Sequence, residues 1–183
     1  MPDLRARFQT FEASKAELLT SIASLSPAIL NKKPDEATWS ILQVIAHLTK
    51  SEALTLQYIK KKTQDPSLLP APGLRAWLGL GVLRAYLSAQ HRGIRSPFRI
   101  KAPSSTGDVP DSGELQPTSF AWAGVREDWR EFIETFPPAL SGKVIFRHPF
   151  VGYLGPDQVM IFLEAHLTNH TRQIGRIRKA LGV

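Results

Sequence analysis

Two histidines, His166 and His170, stand four residues apart in the segment EAHLTNH. On a helix such side chains are neighbours, with Cβ atoms roughly 5–6 Å apart, so both rings can reach one ion at metal–nitrogen distances of ~2.0–2.1 Å. Burying this pair without partners would be unfavourable, because each ring carries a donor and an acceptor. The spacing therefore indicates a divalent metal site, although the same spacing also occurs on exposed or hydrogen-bonded helix faces.

A third histidine, His47, lies far upstream of His166 on another predicted helix. If the two helices are neighbours, the three rings form one face and leave the opposite side open, as in catalytic zinc sites. Nickel, iron and manganese also accept imidazole ligands, so the ligand type does not choose the metal. Leu167, Thr168 and Asn169 stand where metalloproteases carry the Glu-x-x of His-Glu-x-x-His, so that motif's general base is missing. The pattern disfavours protease chemistry.

Further polar residues near these histidines have two interpretations each. Gln173, three residues after His170, either contacts a ligand or the substrate, or caps the polar end of the bundle. Ser51, four residues after His47, either bonds a ligand or bonds its own helix backbone. The remaining histidines have no motif around them: we expect His91 at the surface and His148 in a loop rather than on a metal.

Four segments show the three- and four-residue spacing of apolar positions that predicts amphipathic helices. They hold apolar residues between Leu4 and Leu25, Ile41 and Ile59, Trp122 and Phe136, and Val159 and Ile177. The second carries His47, and the fourth carries both His166 and His170. The sequence therefore predicts one all-α domain over residues 1–183.

Local signals mark where these helices begin and end. Ser40 and Gln43 have the capping-box pattern at the start of the second helix, and Pro156 suits the first position of the fourth. We expect the third helix to run from about Ser119 to Phe136, where two prolines follow.

A long crossover, residues 63–118, separates the second and third helices and is rich in proline, glycine and serine. Because a structureless connection of this length is uncommon, we expect an extra helix over Leu74–Ala89. Its Trp77 and Tyr86 suit a lid over the metal site or a dimer contact, with a short amphipathic helix on a membrane surface as a third alternative. A second connection, residues 141–154, is expected to hold a short extended segment at KVIFR.

Composition narrows the function classes. The chain has 183 residues, no cysteine and a formal charge of +7. The missing cysteines exclude disulfides and thiolate metal sites, and they fit a reducing cytoplasm. The basic residues are scattered without a recognisable nucleic-acid motif, so nucleic acid is not an expected partner.

Arg172 and Arg176 suit an anionic small substrate or a solvated flank. The apolar run Leu74–Leu87 is interrupted by arginines and is shorter than the ~20 residues of a membrane span, so we expect a soluble, cytoplasmic protein.

Three stretches stand out together. The first is WSILQVIAHLTKSE, with a Trp-Ser helix start followed by a histidine. The others are HPFVGYLGPDQVMIFLEAHLTNHTRQIGRI, with a His-x-x-x-His pair, and KAPSSTGDVPDSGELQPTSFAW, the link into the third helix. In this order they resemble the DinB/YfiT-like superfamily. The resemblance covers most of the chain except roughly residues 60–95. The apolar, basic insertion after the second helix departs from the family pattern, which leaves the substrate class open.

The resemblance implies a four-helix bundle of up-down-down-up topology, often a homodimer, with a divalent metal (nickel, zinc, iron or manganese) on His47, His166 and His170. Characterised members include thiol-dependent S-transferases and isomerases that use low-molecular-weight thiols such as bacillithiol or mycothiol, and others have been called metal-dependent hydrolases. Our hypothesis is a metal site that activates a thiol co-substrate for S-transfer to a small molecule. The alternatives are a metal-dependent hydrolase and a non-catalytic, stress-associated bundle with a structural metal.

Overall fold

The computed structural model of the chain describes residues 4–36, 38–71, 81, 109–110, 112–148 and 152–183. Its helices and strands, in chain order, are α1 (Leu4–Ile22), α2 (Pro27–Asn31), α3 (Ile41–Lys62), α4 (Leu115–Glu134), β1 (Phe146–His148), β2 (Gly152–Leu154) and α5 (Pro156–Leu181). The four long helices α1, α3, α4 and α5 are the four predicted segments, which confirms the all-α, four-helix fold. Helix α4 begins at Leu115, earlier than the predicted Ser119, and ends at Glu134 rather than Phe136.

The ends of α3 and α5 follow the chemistry of their terminal residues. At the start of α3, Ser40 Oγ accepts a hydrogen bond from the Gln43 backbone N–H (3.2 Å), while the Ser40 N–H donates to Gln43 Oε1 (3.1 Å). This confirms the predicted capping box. Helix α5 starts with Pro156 at its first position and stops at Gly182, whose φ of 73° lies in the left-handed region that glycine adopts without strain.

The four long helices pack so that α1 and α3 each contact both α4 and α5. Helices α1 and α5 are parallel, because Arg7 pairs with Asp157 near both N-termini and Arg178 bonds the Ser21 carbonyl near both C-termini. At one end of the bundle, a small cavity is lined by Leu4 at the start of α1, Pro156 at the start of α5 and Phe136 just after the end of α4.

The end of α3 lies at that same end of the bundle. Its Tyr58 packs edge-on against Phe146, with ring centroids 5.3 Å apart, and the neighbouring Ile145 lines the cavity just described. Helices α3 and α4 therefore run parallel to each other and opposite to α1 and α5. The predicted up-down-down-up topology is confirmed, and α3 and α5 are neighbours, as the three-histidine hypothesis requires.

The interior between the helices is apolar and closely packed. Its largest fully buried side chains include Phe11 of α1, Ile45 and Leu48 of α3, and Trp122 and Trp129 of α4. Burying such side chains stabilises a fold by ~1.5–3 kcal/mol each, so the apolar stripes predicted from the sequence are also the main source of helix association.

A buried ionic network crosses this core. Arg126 of α4 and Glu52 of α3 are each about 1% exposed, and the guanidinium makes two bonds to the carboxylate, at 2.6 and 3.0 Å. Arg126 also bonds Glu12 of α1 at 2.9 Å, and Trp122 Nε1–H donates to Glu52 at 2.8 Å. The network therefore joins three of the four long helices.

The two strands form an antiparallel hairpin ahead of α5, with Phe146 opposite Leu154. Strand β1 begins within the KVIFR segment, where an extended stretch was predicted. The predicted extra helix at Leu74–Ala89 lies outside the described residues apart from Gly81, as do Trp77, Tyr86 and His91. The single-domain interpretation of residues 1–183, with a crossover at 63–118, stays a prediction. Within the described part of the chain, no helix combines the length and apolar content that crossing a membrane requires.

Candidate metal centre

Three histidines from two neighbouring helices meet inside the bundle. His47 lies in the second turn of α3 and is 5% exposed, while His166 and His170 lie on successive turns of α5 and are half-buried. The four-residue spacing of the α5 pair places the two rings on one face, edge-on to each other, and that face is turned toward α3. The structure thus brings together all three residues that the sequence singled out.

The ring nitrogens converge on one small space. His166 Nε2 lies 3.4 Å from His47 Nε2 and 3.1 Å from His170 Nε2, and one ligand atom from each histidine falls within 4.8 Å of the others. Two nitrogens bound to one ion at ~2.0–2.1 Å stand roughly 2.8–3.4 Å apart in octahedral or tetrahedral geometry. The two separations that involve His166 fit a shared divalent ion.

The three rings are held in the neutral form that a metal requires. Burial lowers the pKa of His47 to about 4, with a smaller contribution from a charge on His170. Burial likewise lowers the pKa of His166 well below its ordinary value, and it lowers the pKa of His170. A neutral imidazole keeps one nitrogen lone pair free for coordination at neutral pH.

Gln173 sets the tautomer of His170. The Nδ1–H of His170 donates a hydrogen bond of 2.8 Å to Gln173 Oε1, so the lone pair of this ring is on Nε2, the atom that faces the other histidines. Metal-binding histidines commonly use their second nitrogen in this way. Of the two interpretations open from the sequence, the structure gives Gln173 the contact with a candidate ligand. By contrast, Nδ1 of His47 is buried and has no hydrogen-bond partner among the described residues.

Aromatic rings form the walls around the histidines. The Trp39 ring lies 5.0 Å from the His47 ring, and Phe162 stacks nearly parallel to His166 at 6.0 Å. The His148 ring also packs against Phe162, with ring centroids 4.5 Å apart. Phe162 was not singled out from the sequence, and Trp39 entered there only as part of the Trp-Ser helix start. Trp39 adjoins the capping box, and Phe162 is one helical turn before His166, so both positions follow from the predicted helices once the site is placed.

His148 is half-buried at the end of β1, not in a loop as expected, and burial lowers its pKa to about 4. It is not one of the three histidines whose nitrogens converge. Ser51 has its hydroxyl oxygen 3.5 Å from His47 Nε2, on the side of the converging nitrogens. Arg172 and Arg176 are exposed on α5.

No carboxylate joins the three histidines in the part of the chain that the structure describes. The nearest acidic residue along α5, Glu164, lies within ion-pair distance of Arg7 on α1 instead (3.8 Å). The arrangement can therefore hold a cation through neutral nitrogen ligands, but it provides no adjacent acid–base carboxylate of the kind that metalloproteases use.

Comparison with known proteins agrees with this description. A family model described as the DinB superfamily matches residues 10–174. Among solved structures, the chain is similar to YfiT from Bacillus subtilis, described as a probable metal-dependent hydrolase with an unusual four-helix bundle topology. The TM-score is 0.64 at 15% sequence identity, over 98% of this chain and 87% of that one, which is a likeness of fold. No curated protein matches the chain.

Proposed function

The chain belongs to the DinB superfamily, and on that premise we propose that it is a metal-dependent enzyme in which His47, His166 and His170 hold one divalent ion. The observation that carries the proposal is the convergence of three histidine rings, in which His166 Nε2 lies at separations suited to a shared ion from both His47 Nε2 and His170 Nε2. Three protein ligands leave coordination positions for a reactant, which is typical of catalytic rather than structural zinc sites.

A divalent ion bound there supplies a Lewis acid that lowers the pKa of a thiol or a water in its open position. The three imidazoles contribute no negative charge, so the ion keeps its full positive charge for this purpose. Nickel, zinc, iron and manganese all suit the ligand set.

We propose S-transfer from a low-molecular-weight thiol as the reaction. Since no carboxylate base adjoins the three histidines among the described residues, a nucleophile that needs little help to ionise is favoured. A free thiol has a pKa of ~8.5, far below that of bulk water. The thiol sulfur bonds to an electrophilic carbon of a small substrate, the leaving group departs with its bonding electrons, and the thiol proton passes to solvent. The exposed Arg172 and Arg176 favour an anionic substrate.

Hydrolysis is the second candidate, and a specific observation supports it. YfiT, which shares this fold, is described as a probable metal-dependent hydrolase. In that case water replaces the thiol as the nucleophile at the same three histidines.

The metal site is tested by metal analysis of purified variants. His166→Ala should lose the divalent ion that plasma emission detects in the wild type, because the central nitrogen of the cluster is removed. His148→Ala is the matched control: it also removes a half-buried imidazole, but one outside the cluster, and should keep the metal. Wild-type metal content in His166→Ala would refute the site.

The reaction is tested by two assays on protein loaded with nickel, zinc or manganese. One measures thiol conjugation to a chlorinated electrophile, and the other measures hydrolysis of esters and amides. We expect conjugation that is absent in His166→Ala. Inactivity in both assays with metal bound, together with unfolding on chelation, would instead support a structural metal.

Two further expectations belong to this proposal. We propose that the protein is a homodimer and that it acts in the cytoplasm, on the basis of the family resemblance and the cysteine-free composition. Light scattering coupled to size-exclusion chromatography would measure the mass in solution, and a monomer mass would contradict the first expectation.

A further inference from the structure

Ser51 is placed to contact whatever molecule binds beside the three histidines. It follows His47 by four residues on α3, so the two side chains share one helix face. Its hydroxyl oxygen lies 3.5 Å from His47 Nε2, the converging nitrogen of that ring. The hydroxyl is therefore at the inner side of the candidate metal centre.

Other hydroxyl groups on the same helices take a different partner. Thr49 and Thr55 of α3 donate to the carbonyl four residues earlier, at 3.0 and 2.8 Å, and Thr168 and Thr171 of α5 do the same at 2.9 and 3.0 Å. This back-bonding is the ordinary arrangement for a helix-interior hydroxyl. Ser51 departs from it, because its hydroxyl oxygen contacts an imidazole nitrogen, Nε2 of His47, instead of a backbone carbonyl.

The contact between Ser51 and His47 is too long to satisfy the hydroxyl. Hydrogen bonds between nitrogen and oxygen usually span ~2.7–3.2 Å, and the interaction at 3.5 Å is at the outer limit. In addition, a His47 Nε2 lone pair that held a metal ion could not accept a hydrogen bond from the serine. The hydroxyl would then have a donor to offer beside the nitrogens that would hold the ion.

We propose that the Ser51 hydroxyl donates a hydrogen bond to an anionic ligand in the open position of the metal centre. Ser51 is then a residue that binds and orients the ligand, not a metal ligand itself. The ligands it favours are small anions whose binding atom keeps a further lone pair, a class that includes a thiolate and a hydroxide. This inference rests on the proposed metal site and deepens it, since it says which ligands the site prefers.

The test uses protein loaded with Co²⁺ and measures azide binding through the visible spectrum of the metal. Ser51→Ala should bind Co²⁺ as well as the wild type but bind azide roughly tenfold more weakly, because a hydrogen bond to a charged group is lost. Ser51→Thr, which retains the hydroxyl, should keep most of the azide affinity. Ser14→Ala is the matched control. The Ser14 hydroxyl donates to the Thr10 carbonyl of its own helix, and Ser14 is not part of the candidate site.

The outcomes separate this inference from the metal site itself. If wild-type protein binds no Co²⁺, the proposed metal site is wrong, and the inference about Ser51, which rests on it, is overturned as well. If Co²⁺ binds and azide affinity is the same in Ser51→Ala as in the wild type, the inference about Ser51 is wrong while the metal site stands. A large loss of Co²⁺ affinity in Ser51→Ala would also overturn it, because the serine would then be a direct ligand.

Discussion

At the scale of single residues, the candidate centre depends on which nitrogen of each ring carries the proton. For His170 the answer comes from one hydrogen bond, in which Nδ1–H donates to Gln173 Oε1 at 2.8 Å. This bond fixes both the tautomer and the rotation of the ring, so that Nε2 is presented to the space shared with His166. His47 has no equivalent partner for its Nδ1 among the described residues, so the structure assigns the clearest orienting role to Gln173.

Replacing Gln173 with leucine should weaken metal binding by about 10–100-fold, because an outer partner that orients a histidine ligand is removed. Gln173→Glu should keep the affinity, since a carboxylate accepts the same hydrogen bond. Competition with a chromophoric chelator measures the dissociation constant. Gln116→Leu, the same change at an exposed position of α4, provides the control. Equal affinities for all four proteins would show that Gln173 does not orient His170.

At the scale of the elements, the sequence predicted which helices exist and which faces they bury, but not most of the contacts between them. The apolar periodicity and the Ser40 cap predicted α3, and the in-phase positions of His166 and His170 predicted the site, because these signals are local. Glu52 and Arg126 gave no such signal. Each is a charged residue that would ordinarily be solvated, and their pairing joins positions 74 residues apart. Likewise, α2 is too short to show a helical period.

The cap of α3 has a measurable consequence for the site, because His47 lies only two turns from it. Ser40 is fully buried, and its Oγ accepts the Gln43 N–H, so Ser40→Ala leaves that donor without its partner. We expect a loss of about 1 kcal/mol in the free energy of unfolding, measured with urea. Ser26→Ala removes the weaker, exposed cap of α2 and should cost less. An equal loss in both variants would contradict the expectation that the buried cap of α3 contributes more stability than the exposed cap of α2.

At the scale of the whole molecule, one arginine links three helices. Arg126 is fully buried, bonds Glu52 of α3 through two nitrogens and Glu12 of α1 through a third, and lies 3.4 Å above the Phe11 ring. Such an ion pair stabilises a fold little compared with apolar packing. Removing one partner is nevertheless strongly destabilising, because the other charge stays buried. The network therefore constrains how α1, α3 and α4 align. Its α3 member, Glu52, lies five residues after His47 on the same helix.

Arg126→Met should lower the free energy of unfolding at neutral pH by about 3–5 kcal/mol, because Glu52 is left buried without its cation. Burial raises the pKa of Glu52 and Arg126 opposes that rise, so the variant's carboxyl should have a still higher pKa. A group whose pKa is raised by folding favours the folded state when it is protonated. The deficit should therefore be smallest in acid and increase as the pH rises through that raised pKa.

Urea unfolding at about pH 5 and pH 8 measures this difference. Arg130→Met is the control, since Arg130 pairs with Glu127 on the exposed side of the same helix and should cost about 1 kcal/mol or less at either pH. The double variant Glu52→Gln with Arg126→Met removes both charges and should recover much of the lost stability, because no unpaired ion remains. If the double variant is as unstable as Arg126→Met, the loss comes from packing around Phe11 and Trp122 rather than from an uncompensated charge, and α1, α3 and α4 are then aligned by shape alone.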